Sequence, residues 1–231
     1  MKNNVVTFGC GLAAALLLLS GCPSVAPASC QTLPPGQGGY LLRFVRTAPA
    51  AAGCETATPE ETSDVWIFDT IANSQVVVHP SLSMPYPPLP EPTPEGVIGQ
   101  GVFVNAEVDA NNSCQVASLT TMTTGAGATL LSYATRDMEW LAGPTYQGAE
   151  FQANVTVTSG TCTADYQVQA LSPAVGCESD ADCDPFKQPF SSGIFSVFDQ
   201  SCKTDPWTAP VAASLGSTGL CFFNAPYPSL Q

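Results

Sequence analysis

Between Phe151 and Ala170 apolar and polar side chains alternate almost without a break. Phe151, Ala153, Val155 and Val157 share one parity and Gln152, Asn154, Thr156 and Thr158 the other. Beyond Ser159 and Gly160 the pattern resumes, with Cys162, Ala164, Tyr166, Val168 and Ala170 set against Thr163, Asp165, Gln167 and Gln169. Successive side chains of a strand point to opposite faces, so a period of two around a Ser-Gly turn specifies an antiparallel hairpin with one buried and one wetted face. Cys162 falls on the buried face.

Shorter runs of the same character surround it. "YLLRFVRT" from Tyr40, "DVWIFDT" from Asp64 and "SQVVVH" from Ser74 are rich in β-branched and aromatic residues and bounded by turn formers. "CQVASLTTMT" from Cys114 reads as a further strand. In "VFVNAEVD" the residues Val102, Val104, Ala106 and Val108 alternate with Phe103, Asn105, Glu107 and Asp109, which predicts a half-buried strand with the valines inward. The best helical candidate is "ATRDMEWLAG", with Gly143 as its stop. Elsewhere 19 Gly and 21 Pro interrupt any helical period. The segment "MPYPPLPEPTPEG" from Met84 reads as an extended surface loop. The fold class that follows is mainly β: antiparallel, sandwich-like or Greek-key-like, with a disulfide-rich, loop-rich C-terminal segment.

The apolar run from Val5 to Leu19 reaches about 22 Å as a helix, short of the roughly 30 Å of bilayer hydrocarbon. Lys2 precedes it and the small residues Ser20 and Gly21 follow, the layout of a secretory signal. The string Leu19-Ser20-Gly21-Cys22 resembles the lipobox of bacterial lipoproteins. That resemblance implies cleavage before Cys22, a diacylglyceryl thioether on its sulfur, and a membrane partner engaged through the lipid; two or three acyl chains anchor a protein stably. Residues 22–39, "CPSVAPASCQTLPPGQGG", then form a lipidated flexible tether. The organisation expected is a signal peptide over 1–21, the tether over 22–39, an antiparallel β domain over 40–172 and a cysteine-rich segment over 173–231.

With Cys10 in the signal and Cys22 lipidated, eight cysteines remain: Cys30, Cys54, Cys114, Cys162, Cys177, Cys183, Cys202 and Cys221. An even set in an exported chain reads as disulfides. Chain order and strand geometry suggest Cys30 with Cys54, Cys114 with Cys162, Cys177 with Cys202 and Cys183 with Cys221. No C-x-x-C occurs, which argues against zinc and thioredoxin-like chemistry. The string "CESDADCD" resembles a cysteine-flanked acidic motif of envelope lipoproteins of myxobacterial type, most of them without assigned function. It supplies no catalytic residue.

Six Lys and Arg against 19 Asp and Glu leave a net charge of −13, and loss of Lys2 with the signal deepens it. Such a field repels phosphate backbones, so nucleic acid is not an expected partner. Neither G-x-S-x-G, S-x-x-K nor H-E-x-x-H is present, and the single histidine, His79, stands at a strand end as a structural residue. Asp180, Asp182 and Asp184 begin like a calcium loop, but Pro185 and Ser191 stand where the EF-hand pattern needs Gly and Glu. They are a weak calcium candidate, and no other cofactor is indicated. The polar hairpin face, Gln152, Asn154, Thr156, Thr163, Gln167 and Gln169, could meet a sugar or simply water. The expectation is a lipid-anchored protein of the bacterial cell envelope, periplasmic or surface-facing, with a binding or structural role and an envelope protein or polysaccharide as partner. The alternatives are a carbohydrate-binding module and a glycosidase whose paired carboxylates are distant in sequence.

Overall fold

The computed structural model describes residues 29–30, 39–71, 74–80, 98–111, 113–124, 130–141, 150–186 and 200–223. The expected signal peptide over 1–21, Cys22, most of the expected tether and the proline-rich run from Met84 lie outside them. Strands β1 (Tyr40–Arg46), β2 (Glu61–Ile71), β3 (Gln75–Pro80) and β4 (Gly99–Val102) form one antiparallel meander. A second consists of β5 (Ser113–Ser118), β6 (Met122–Thr124), β7 (Leu131–Leu141), β8 (Glu150–Ser159) and β9 (Cys162–Leu171). β1 pairs with β9 and joins the two in the order β4-β3-β2-β1-β9-β8-β7-β5, with β6 continuing β5 along β7.

The ends of this sheet approach each other. Phe103 bridges Val116, the Val104 N–H donates to the Gln115 carbonyl at 2.7 Å, and the Thr120 N–H donates to the Gln100 carbonyl at 2.8 Å. The antiparallel β architecture therefore takes the form of a nearly closed barrel, whose opposite walls supply the two packed layers. Gly101 makes the approach feasible: a Cβ there would lie 2.8 Å from both Leu119 and Val116 side chains.

Alternation sorts the side chains as the hairpin pattern implies. Phe151, Ala153, Val155, Val157, Tyr166, Val168 and Ala170 face the core, with Tyr40, Leu42, Phe44, Trp66 and Phe68 of the neighbouring β1 and β2 extending the same face. The two-residue β8–β9 turn begins with Gly160 at φ 59°, a left-handed conformation that glycine adopts without strain.

Two local readings are overturned. In "ATRDMEWLAG" residues 134–141 lie in β7 instead of a helix, and Ala142 and the expected stop Gly143 lie outside the described residues. A bulge between Arg136 and Glu139, with Asp137 at φ 52°, turns both Arg136 and Asp137 outward while Thr135 and Met138 both point in. The resulting three-residue spacing imitates a helical period. In "VFVNAEVD" only the start is strand, and its faces are reversed: Phe103 is buried at 4% exposure, whereas Val102 and Val104 are 56% and 57% exposed. A large ring fills the interior where the barrel closes, and parity then sends the valines outward.

The disulfides correct two of the expected pairings. Cys30 bonds to Cys114 and Cys54 to Cys162, instead of Cys30 to Cys54 and Cys114 to Cys162. β1 carries the chain from one barrel end to the other, and seven residues at about 3.3 Å each far exceed the roughly 7 Å limit between bridged Cα atoms. Cys30 and Cys114 lie near the end where β1 begins; Cys54 and Cys162 lie at the opposite end. The bridges Cys177–Cys202 and Cys183–Cys221 are as expected.

After β9 the chain builds a small unit on the outside of the barrel. Its sheet has the order β10 (Gly176–Cys177), β12 (Gly219–Phe223), β11 (Gln200–Lys203), and a short helix, α1 (Ala209–Ser214), packs on β12. Leu220, Cys221, Phe222, Val211 and Ala212 bury themselves with Leu41 and Leu171, outward-facing residues of β1 and β9. Ser63 donates to the Trp207 carbonyl at 2.9 Å, and the Arg43 guanidinium lies 5.2 Å from the Trp207 ring centre. Burial of this apolar row explains why Leu41 and Leu171 break the expected polarity of an outer face.

Candidate functional site

The barrel interior differs between its two ends. Near the start of β1, Tyr40, Phe68, Trp140 and Phe151 pack in ring contacts with centroids 5.0–5.5 Å apart, and Phe103 joins Trp140 at 5.5 Å. That end is filled. At the opposite end, where β1 finishes and β2 begins, there is a cavity of about 650 Å³.

The cavity has two kinds of wall. Phe44, Asp64, Tyr133, Val157 and Tyr166 reach it from the barrel interior, while Val65 and Ile67, of opposite parity on β2, meet Val211 and Leu215 on its outer side. Both faces of β2 contribute because β3 accompanies β2 only as far as the Trp66–Pro80 pair. Among the described residues no strand pairs with Glu61–Val65 on that side. Beside this gap Asp64 accepts a 2.7 Å hydrogen bond from the Val65 N–H.

Asp64 is the one charged side chain among the described residues lining the cavity. It is 8% exposed, and its Oδ2 accepts hydrogen bonds from Trp66 Nε1 at 2.9 Å and Tyr133 Oη at 3.3 Å. The Tyr133 hydroxyl is held well above the usual phenol range, first by burial, then by the Asp64 charge and hydrogen bond. Burial also raises Tyr166, with Arg46 acting in the opposite direction. The Tyr166 hydroxyl donates to the Pro59 carbonyl at 2.9 Å, and Arg46 donates to the Thr58 carbonyl, so the β1–β2 connection is tied down beside the opening. The Cys54–Cys162 bridge fastens the same connection to β9.

Of the residues singled out from sequence, few converge. The Asp182 carboxylate caps the Glu178 and Ser179 N–H groups at 2.8 and 2.9 Å, Asp180 accepts from the Cys202 N–H at 2.8 Å, and Asp184 accepts from the Phe186 N–H at 2.8 Å. These carboxylates are spent separately on backbone donors and do not gather into a calcium site. The sulfurs of Cys177, Cys183 and Cys221 lie within 4.8 Å of one another, but each belongs to a disulfide and offers no thiolate. His79 sits on β3 with Nε2 3.7 Å from Asp69 Oδ2, away from the cavity lining. On the outer hairpin face Gln152 donates to Glu139, Asn154 to Asp137 and Thr156 to Asp165, so these polar groups bond laterally along the sheet.

Asp64 escaped the sequence reading, although a signal was present. In "DVWIFDT" it has the same parity as Trp66 and Phe68 and is therefore an acid on a core-facing row. Glu150 was missed as well. It begins β8 opposite Leu171, fully buried, and neither carboxylate oxygen has a hydrogen-bond partner among the described residues; burial pushes its carboxyl up to about 7.

No helix among the described residues is long and apolar enough to cross a membrane. No curated protein and no solved structure matches the chain. The profile of the MlpA family does match, over residues 41–173. That stretch runs from β1 to just beyond β9, and hence over the whole barrel with the inner wall of its cavity. By a match covering more than half of its length, this chain belongs to the MlpA family.

Proposed function

We propose that the protein is a lipid-anchored binding protein of the bacterial envelope, whose barrel holds a small molecule at its open end. The supporting observation is the cavity of about 650 Å³ set among Phe44, Tyr133 and Tyr166. Its size falls within the roughly 300–1,000 Å³ of small-molecule sites, and barrels of about eight strands are wide enough to take one small ligand. A mostly apolar wall carrying one carboxylate beside a few hydroxyl groups is suited to binding and orienting; a glycosidase would need a second carboxylate, and the described lining has only Asp64.

The lipobox-like run ending at Cys22 supports an anchor. A tether of the composition of residues 22–39 would let the barrel stand off the membrane, facing either the periplasm or the exterior. Replacing Cys22 by Ser should shift the protein from the detergent phase to the aqueous phase. For the binding role, native mass spectrometry of protein recovered from membranes should show a retained small molecule, and Leu131→Trp, which fills the cavity, should lose it. Equal occupancy in a correctly folded Leu131→Trp chain would refute binding at this place.

A further inference from the structure

We infer that the cavity takes an organic cation: an ammonium group on an apolar body, its head at Asp64 among the aromatic side chains and its body against Leu131 and Val157. This inference rests on the binding reading above and specifies its ligand class. Three observations carry it.

First, the described lining combines one acidic side chain with no Lys, Arg or His. In surroundings of low dielectric a carboxylate on the wall attracts a cation far more strongly than in water and repels an anion equally, which disfavours fatty acids and phosphate esters of the same shape. Second, the carboxylate is held rigidly. Val65 N–H and Trp66 Nε1 lie at 2.7 and 2.9 Å and Tyr133 Oη at 3.3 Å, so little ordering remains to be done when a ligand arrives. Third, an aromatic cluster adjoins that carboxylate through Trp66 and Tyr133, which both donate to it. Phe44, Trp66, Tyr133 and Tyr166 form a continuous cluster with centroids 5.5–6.1 Å apart, and Phe44, Tyr133 and Tyr166 line the cavity. The π face of an aromatic ring attracts a cation electrostatically, most strongly where water is excluded. A neutral ligand would gain from the rings chiefly by area and from Asp64 at most a hydrogen bond, without the attraction between opposite full charges. The chain's net charge of −13 acts in the same direction at long range, drawing cations to the molecule as a whole.

The test uses the full chain carrying Cys22→Ser, so that neither lipid nor detergent competes, with its disulfides intact. Isothermal titration with 4-phenylbutylamine, 4-phenylbutanol and 4-phenylbutyrate varies the head group on one body. The amine should bind at least about tenfold more tightly than the alcohol, as a charge-assisted contact plus a cation–π contact requires, and the carboxylate should bind most weakly. Asp64→Asn should remove most of the amine's advantage, lowering amine affinity by a larger factor than alcohol affinity. Tyr133→Leu should weaken the amine more than the alcohol. Equal binding of amine and alcohol to the wild-type chain would overturn the inference while sparing the binding reading, and so would an amine preference that survives Asp64→Asn. If none of the three binds, the binding reading falls and takes the inference with it. Should Asp64→Asn fail to fold by circular dichroism, the order of the three affinities in the wild-type chain decides alone.

Discussion

Replacing Glu150 by Gln should remove a pH-dependent loss of stability that the wild-type chain carries through neutral pH. Glu150 opens β8 beside Leu171, and the cross-strand row Glu150–Leu171–Leu41–Val65 is the one on which the C-terminal unit packs. The carboxyl is fully buried, without a hydrogen-bond partner among the described residues, and its pKa is raised by desolvation from an ordinary 4.5 to about 7. The folded state therefore keeps a proton that the unfolded chain releases between those values. Stability is highest below 4.5, declines as pH rises through the interval, and the loss is complete above about 7. At about 1.36 kcal/mol for each pH unit, the full loss is about 3.4 kcal/mol. Urea unfolding of the disulfide-intact protein between pH 5 and 8 captures about 2.5 kcal/mol of it, part of the loss having occurred by pH 5; with a slope of about 1–3 kcal/mol per molar urea, the wild-type midpoint should fall by about 1 M or more. Glu150→Gln should show a nearly flat midpoint over the same range. The comparison is of pH slopes, because an amide buried without a partner carries a pH-independent cost of its own. Asp109 and Asp165, held below their ordinary 3.8 chiefly by hydrogen bonds with Ser113 and Thr156, lose their stabilising effect only as pH falls below that value, and so do not overlap this window. Parallel pH profiles for the two proteins would refute the reasoning.

Gly101→Ala should destabilise the barrel by about 1–3 kcal/mol, since its Cβ would lie 2.8–2.9 Å from Leu119, Val116 and the Ser118 carbonyl where β4 meets β5; an unchanged melting temperature would show that this seam is looser than the structure has it. Peptide mapping without reduction should recover Cys30–Cys114 and Cys54–Cys162 as cross-linked pairs, and recovery of a Cys30–Cys54 peptide would contradict the placement of these residues at opposite barrel ends. Reduction should loosen the C-terminal unit first, because Cys177–Cys202 and Cys183–Cys221 each restrain its unfolded chain by about 2–4 kcal/mol; limited proteolysis that cuts β8–β9 before residues 176–223 would reverse that order.

Much of this protein follows from local order in the sequence. Strict alternation from Phe151 to Ala170 determines a hairpin and the face it buries, because strand parity is a property of consecutive residues. The runs at Tyr40, Asp64 and Ser74 are legible for the same reason, as is the β class. Local pattern fails where one residue disturbs the parity or where distant segments meet. The bulge at Asp137 converts a strand into an apparent helical period, and barrel closure at Gly101 turns Phe103 inward and the neighbouring valines out. The apolar row of Leu41 and Leu171 acquires its meaning only once Val211, Ala212, Leu220 and Phe222 of the C-terminal unit pack onto it. Cysteine partners over 84 and 108 residues of separation depend on which barrel end each strand reaches, a quantity that chain order does not contain. The cavity is likewise a tertiary product. Asp64 is visible in the sequence as an acid in phase with Trp66 and Phe68, but its neighbours Phe44, Tyr133 and Tyr166 come from three other strands, and curling the sheet into a barrel is what brings them to one place.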